Sequence, residues 1–321
     1  MTLNLSSILD ELMLSFRERG RDASVATMSV VVFFDNPVIG ELARQRIRML
    51  ASKHPSRVIV LDGTQAENVH RIEGCDWIEL GVKESGPEVL RSAVATLRLP
   101  EAPVVLLWIA RGIGSDARFA SLCEDAQTVV YNSSLLDVGH EALCEFVEYV
   151  EQNPKLSLAD IAYLRLAPWQ ECVAIFFDGK TADELRDLER VEIACGSEPE
   201  AYYLLGWLAS RLQWTPTAAD ALLSRDGKRV VFEIRRQGEP RRIARIALSS
   251  SRSIFVAEVD KSEETILLSA TGSSKHGPRY RAIDNPGIAA LVERAILWGQ
   301  NDRIFRAALA AAGEILAQRK E

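Results

Sequence analysis

The amino-acid sequence predicts an α/β fold: a Rossmann-like, mostly parallel layered sheet over residues 1–155, then an α+β domain over residues 156–321 with an antiparallel β-meander and C-terminal helices. Three observations carry this. In the first half, apolar β-branched runs without a polar face alternate with amphipathic stretches, the pattern of strands buried between two helical layers. In the second half, Arg229–Arg235, Arg242–Leu248, Ser253–Val259 and Thr265–Ser269 follow one another across short polar turns, which leaves no length for crossover helices. Two apolar helical stretches, Pro286–Trp298 and Arg303–Gln318, then close the chain and are expected to cover that second sheet.

Each element has a local cause. Leu5, Ile8, Leu9, Leu12 and Phe16 recur at helical spacing, and Gly20 follows as a stop. Met28–Phe34 is a continuous apolar run, hence a buried strand. Asn36-Pro37 caps and opens a helix whose inner face is Ile39, Leu42, Ala43, Ile47 and Leu50. Further strands are expected at Arg57–Leu61, Asp76–Val82, Val104–Ile109 and Thr128–Tyr131. Helices are expected from Ser85–Pro87 through Leu97, around Ala117–Leu122 and over His140–Val150. In the second half a strand at Val191–Ala194 precedes a helix over Glu198–Leu212, with Pro199 in its first turn.

Between the halves lies Asp160-Ile161-Ala162-Tyr163-Leu164-Arg165-Leu166-Ala167-Pro168-Trp169-Gln170. Pro168 disfavours the helical conformation at Ala167, so a helix running through Asp160 ends or kinks there. A new helix starts at Pro168 and turns Trp169, Val173, Phe176 and Phe177 inward. An acid, a Tyr, an Arg and a Trp in so short a stretch suit packing or docking better than bond-making. Interfaces favour Trp, Tyr and Arg, so Asp160, Tyr163, Arg165 and Trp169 are candidate partner-binding residues.

Composition excludes several classes. Apolar residues at 47% and charged residues at 26% are ordinary for a globular chain, and a net charge of −7 argues against a nucleic-acid surface. No apolar run reaches the ~18–20 residues of a membrane span, and the N-terminus lacks the pattern of a signal peptide. The five cysteines are odd in number and scattered, without a Cys-x-x-Cys pair, and the four histidines stand apart, so neither a disulfide framework nor a metal site is expected. A cytoplasmic location follows as the expectation. Of the six tryptophans, Trp77 beside Asp76 is the one read as open to solvent.

Two loops bear on cofactors. Gly112-Ile113-Gly114-Ser115-Asp116-Ala117 follows a strand, precedes a helix and fits Gly-x-Gly-x-x-Ala, a form that brings backbone close to a pyrophosphate. It does not follow the first strand of its βαβ unit, and the next strand ends in Tyr131-Asn132 without the ribose-binding acid, so a plain connection is favoured. Thr271–Arg281 gathers hydroxyls, Lys275, His276, Arg279 and Arg281 around two glycines but lacks P-loop spacing. A solvated hairpin loop is favoured there; if functional, Lys275 and Arg279 would meet a protein rather than a nucleotide. No nucleophile elbow, His-Glu-x-x-His or catalytic triad is present in the sequence pattern, so no catalytic residue and no cofactor are expected. The alternative is a sugar-phosphate- or nucleotide-binding enzyme using the Gly112 or the Lys275 loop.

The kink element also resembles a family pattern. Asp160, Ala162, Arg165, Leu166, Pro168 and Trp169 match the Asp-Leu-Ala-Trp-Thr-Arg-Leu-Thr-Pro-Trp-Arg segment of the OpcA family, the glucose-6-phosphate dehydrogenase assembly proteins; Tyr163, Leu164, Ala167 and Gln170 depart from it. His54–Leu61, Leu99–Trp108, Tyr203–Leu212 and Asp302–Leu309 resemble further segments of that family in the same order. The resemblance implies a non-catalytic protein of the oxidative pentose phosphate pathway that binds glucose-6-phosphate dehydrogenase, promotes its assembly and raises its activity, and so supports NADPH supply.

Overall fold

The computed structural model describes residues 26–73, 76–110, 113, 116–135, 139–178, 183–237, 242–260, 265–273, 276–282, 287–298 and 302–319. The helix expected over Leu5–Phe16 and the residues Gly112, Gly114 and Lys275 lie outside this set. The chain divides into two compact units, each of which it enters more than once. One takes the described residues within Met1–Leu135, Gln152–Ile161 and Gly287–Asn301; the other takes those within Leu136–Glu151, Ala162–Pro286 and Asp302–Glu321.

The first unit is built on a seven-stranded sheet. Its strands are β1 (Met28–Phe34), β2 (Ser56–Asp62), β3 (Asn68–Glu73), β4 (Trp77–Gly81), β5 (Val104–Ile109), β6 (Thr128–Tyr131) and β7 (Leu158–Asp160), in the spatial order β3-β4-β2-β1-β5-β6-β7. All pairs are parallel except β3 with β4. Helices α1 (Pro37–Lys53), α2 (Pro87–Leu97) and α3 (Ala117–Cys123) connect the strands. Val30, Phe33, Val58, Ile59 and Ile78 are each 0% exposed, as apolar runs in a doubly covered parallel sheet should be. The inner face of α1 is Gly40, Ala43, Ile47 and Leu50, whereas Leu42, expected inward, is 49% exposed. A single residue's slip on the 3.6 period moves a side chain about 100° round a helix, so Leu42 turns out while Ala43 turns in.

Two corrections concern the ends of this unit. Asp160 closes a strand rather than lying in a helix; Leu158–Asp160 adds to the sheet beside β6, and the short helix α5 (Ile161–Leu164) comes after it, following α4 (Gly139–Gln152) in helix order. The helix at Ile288–Trp298, labelled α8 below, does not cover the second sheet. It packs on α1 and β6 of the first unit, with Leu291 and Ala295 fully buried and Glu293 meeting His54 at 2.9 Å at the C-terminal end of α1.

The second unit contains α6 (Ala167–Phe176), β8 (Leu188–Cys195), α7 (Glu198–Leu212), β9 (Thr215–Ala218), β10 (Ala221–Leu223), β11 (Arg229–Arg236), β12 (Ile243–Ser250), β13 (Ser253–Val259), β14 (Thr265–Gly272) and β15 (His276–Ala282). After α8 (Ile288–Trp298) of the first unit, the helix α9 (Arg303–Ala317) ends this one. The sheet runs β15-β14-β13-β12-β8-β11-β10-β9 and is largely antiparallel; β12 to β15 form the meander, while β8 inserts between β11 and β12 and pairs parallel with β11. Sequence neighbours β11 and β12 are therefore not spatial neighbours. Pro168 and Pro199 sit in the first turns of α6 and α7, where a missing N–H costs nothing. At Gly206 of α7 the backbone of α9 comes so close that an added Cβ would run into the carbonyl oxygen of Ala308.

Candidate functional site

The carboxyl ends of β1 and β5 mark the point where strand order reverses in the first sheet, the place where open α/β sheets bind ligands. A dinucleotide there needs glycines in the turn after β1, free N–H groups at the helix start, and an acid at the end of β2 for the ribose. The turn reads Asp35-Asn36-Pro37-Val38-Ile39-Gly40. Counting back from Gly40, the first two glycines of Gly-x-Gly-x-x-Gly are replaced by Asp35 and Pro37. Asp35 brings negative charge to a phosphate seat, and Pro37 removes a donor. The Asn36 side chain takes the N–H groups of Val38 and Ile39 for itself, at 3.0 and 3.2 Å. Gly40 alone keeps its role, because an added Cβ would run into the edge of the Phe34 ring.

The acid at the end of β2 is present but committed elsewhere. Asp62, 3% exposed, accepts from Arg44 Nη2 at 2.5 Å and from Thr64 N and Oγ1 at 2.9 and 2.6 Å. Arg44 Nε donates to Glu79 at 3.1 Å, and Trp77 Nε1 donates to the other oxygen of that carboxylate at 2.8 Å. Burial lowers the Arg44 pKa, but hydrogen bonds to Asp62 and Glu79 with their negative charge outweigh it, and the net shift is upward. Trp77, read from sequence as open to solvent, is 6% exposed; its N–H is satisfied by Glu79 and the guanidinium of Arg48 lies 4.3 Å above its ring. Across β1, Arg118 lies 4.8 Å from the centre of the Phe33 ring and is bound by Asp116, the N-cap of α3, which raises its pKa. The described residues after β1 and β2 at this end of the sheet do not fit a dinucleotide.

The candidate partner-binding residues separate in the structure. Asp160, 1% exposed, accepts the Ser133 N–H at 3.1 Å. Tyr163 is buried, its ring 4.9 Å from Phe305 and 6.1 Å from Tyr203. Desolvation first, with the Asp302 charge adding, pushes its hydroxyl up to about 12 against the opposing pull of Gln170 and Arg211. Trp169 is buried on the inner side of α6. Arg165 forms an ion pair at 2.5 Å with Glu200 in the first turn of α7, and the Glu200 side chain is 2% exposed. These four residues pack and pair within the fold. Glu200 was not legible as their partner, because 35 residues separate it from Arg165 and nothing local marks it.

The Thr271–Arg281 stretch is strand for much of its length rather than a loop: β14 runs to Gly272 and β15 begins at His276. Ser273 is tied by its N–H to the Arg252 carbonyl at 3.1 Å, and its hydroxyl meets Ser253 at 3.0 Å and the Glu184 carboxylate at 3.5 Å. Glu184 also accepts from Ser250 at 3.1 Å. Hydroxyls here face an acid, which opposes an anion cradle. Arg279 lies exposed on β15 opposite Leu268, and Arg281 pairs with Glu171 of α6.

One face of the second sheet is closed by Val191, Ile193, Val230, Phe232, Ile246 and Phe255, each at most 2% exposed. The other face carries a lattice of ion pairs: Arg190 with Glu192 and Glu233, Arg235 with Glu233, and Arg245 with Glu192 and Glu258. Buried Cys172 and Cys195 have thiols pushed up to about 12, chiefly by desolvation, and are inert as nucleophiles at neutral pH.

Residues 156–309 match the family model described as the C-terminal domain of a glucose-6-phosphate dehydrogenase subunit. The protein named OpcA, of the OxPP cycle, from Synechocystis sp. is 28% identical over 189 residues, 53% of this chain and 39% of that protein. Its namesake in Nostoc punctiforme is 31% identical over 147 residues, 45% of this chain and 31% of that protein. Residues 156–309 belong to the OpcA family. The matched stretch spans well under half the length of these OpcA relatives. The aldose-aldose oxidoreductase of Caulobacter crescentus, crystallised with glycerol, aligns with a TM-score of 0.52 at 11% identity over 92% of this chain and 98% of its own. Gal80p of Saccharomyces cerevisiae, as a super-repressor mutant, aligns at 0.51 with 8% identity over 84% and 83%. At such identities this chain shares their fold and nothing more is implied. Among its described residues no helix is long and apolar enough to cross a membrane, and no cluster of three or more His, Cys, Asp or Glu is arranged to hold a metal.

Proposed function

We propose that this chain is a non-catalytic partner of glucose-6-phosphate dehydrogenase that promotes assembly of the enzyme and raises its activity, and thereby supplies NADPH through the oxidative pentose phosphate pathway. The observation that carries this is the match of residues 156–309 to a domain described as belonging to a subunit of that enzyme. The first unit supports it: a fold that ordinarily binds dinucleotides has Asp35 and Pro37 in place of the phosphate-binding glycines, and its Asp62 is held by Arg44. A partner raises activity only by binding one state of the enzyme more tightly than another. Of the residues first considered for docking, Arg279 is the one among the described residues with an open side chain, and Lys275 lies outside them.

The test is sedimentation of the chain with glucose-6-phosphate dehydrogenase from the same organism, both at micromolar concentration, with activity followed in parallel. A complex with altered activity or oligomer distribution is expected. Independent sedimentation with unchanged activity rejects the proposal.

A further inference from the structure

The second sheet is alternately sealed and open. Residues such as Val191 and Phe255 face the covered side, while their chain neighbours face outward among the described residues. On the outward side two regions adjoin. Over β8, β11 and β12 and reaching Glu258 of β13 lie three Arg and three Glu whose charges are matched by one another, so that this patch is neutral in a chain of net charge −7. Over β13 to β15 the surface turns apolar: Ile254 is 46% and Tyr280 65% exposed, with Val256 and Leu267 half-buried between them. The register places Leu267 opposite both Glu258 and Tyr280, and Val256 opposite Ala247, so these side chains share the face with the ion-pair lattice.

We propose that this open face is where glucose-6-phosphate dehydrogenase docks, an inference that rests on the function proposed above. Size fits. Six strands of seven or eight residues (β8 and β11 to β15) present about 700 Å² in projection at ~4.8 Å between strands and ~3.3 Å per residue, close to the ~800 Å² that each side of a stable complex buries. Charge fits as well. Guanidinium and carboxylate groups that already satisfy one another form a polar rim without adding unpaired charge to the interface, while Ile254 and Tyr280 supply the apolar and aromatic anchors that such interfaces use. The whole face lies inside the segment 156–309 that matches the enzyme-associated family, which favours the enzyme over a second copy of this chain as occupant.

The double variant Ile254→Arg, Tyr280→Glu tests this in the full chain. Tyr280 is largely and Ile254 about half exposed in the free protein, so its melting temperature should stay close to wild type, and Leu42→Arg on the similarly exposed side of α1 serves as the control. Affinity for glucose-6-phosphate dehydrogenase should fall at least about tenfold in the double variant and stay unchanged in the control. If wild type binds and the double variant binds equally well, the docking face is wrong and the proposed function stands. If wild type does not bind, both fail. If wild type self-associates and the double variant abolishes that self-association while enzyme binding persists, a second copy occupies the face and the proposal is overturned.

Discussion

Arg165→Ala should destabilise the second unit by about 3 kcal/mol while leaving partner affinity intact in the folded fraction. The magnitude follows from what is left behind. Arg165 meets Glu200 at 2.5 Å, and the Glu200 side chain is 2% exposed, so deletion leaves a carboxylate held away from water. Breaking a buried pair from one side costs about 3–5 kcal/mol. The lower end applies, because Glu200 sits in the first turn of α7, where the positive end of the helix dipole returns up to about 1 kcal/mol. In a unit of this size that corresponds to a melting temperature lower by about 6–12 °C. The assay is thermal unfolding of wild type, Arg165→Ala and the pair Arg165→Ala, Glu200→Gln, with binding measured on each. Neutralising the buried acid should recover part of the loss. An Arg165→Ala protein that melts with wild type yet binds its partner poorly would refute the reasoning and make Arg165 an interface residue.

Three further outcomes are expected. Calorimetric titration with NAD, NADP or ATP should show no binding tighter than ~100 μM, about −5.5 kcal/mol, because Asp35, Asn36 and Pro37 close the phosphate seat; a tighter constant revives the enzyme alternative. Gly206→Ala should lower stability by at least about 1–3 kcal/mol in denaturant titration, since the new methyl group meets the backbone of α9; a neutral effect would show that the two helices separate freely. Stability should fall in alkali: Tyr163, Cys172 and Cys195 titrate near 12 in the fold and lower when unfolded, so the unfolded chain gains from ionisation first. The stability present below the unfolded values is lost from about pH 9 upward, by up to about 1.4 kcal/mol per pH unit for each group, and Tyr163→Phe should flatten the slope above pH 10. An unchanged slope in that variant would remove Tyr163 from the account.

The strands of the first sheet were legible because burial on both faces forces runs such as Val30–Phe34 and Val104–Trp108 to be apolar throughout, a signal that needs no tertiary knowledge. Helix starts were legible for an equally local reason, as at Asn36-Pro37, where side chain and ring act on the next three residues. Weaker elements escaped. β3, with polar Asn68, His70, Arg71 and Glu73, is a strand by virtue of its pairing with β4, and β15 carries Gly277 and Pro278, both poor strand residues tolerated at an edge. Leu158–Asp160 is three residues long and takes its conformation from β6. Strand order was hidden for the same reason: the insertion of β8 between β11 and β12 is set by long-range pairing and leaves no trace in the amino-acid sequence between them.

The sites show that limit more sharply. From sequence, Arg165 and Asp160 read as able to pair with each other or with a partner, and Lys275 and Arg279 as part of a solvated loop that could meet a protein, because proximity along the chain was the one distance visible. In three dimensions Asp160 serves the Ser133 amide, Arg165 serves Glu200, and Asp62, which stands where a ribose-binding acid belongs, is neutralised by Arg44. Buried charges are expensive unless matched, so a fold that retains them spends them on one another. The same principle bears on the docking face proposed above. Covering apolar side chains is favourable whereas ion pairs lose hydration when covered, so on the proposed docking face Ile254 and Tyr280 would act as anchors while the ion pairs stay hydrated at the margin.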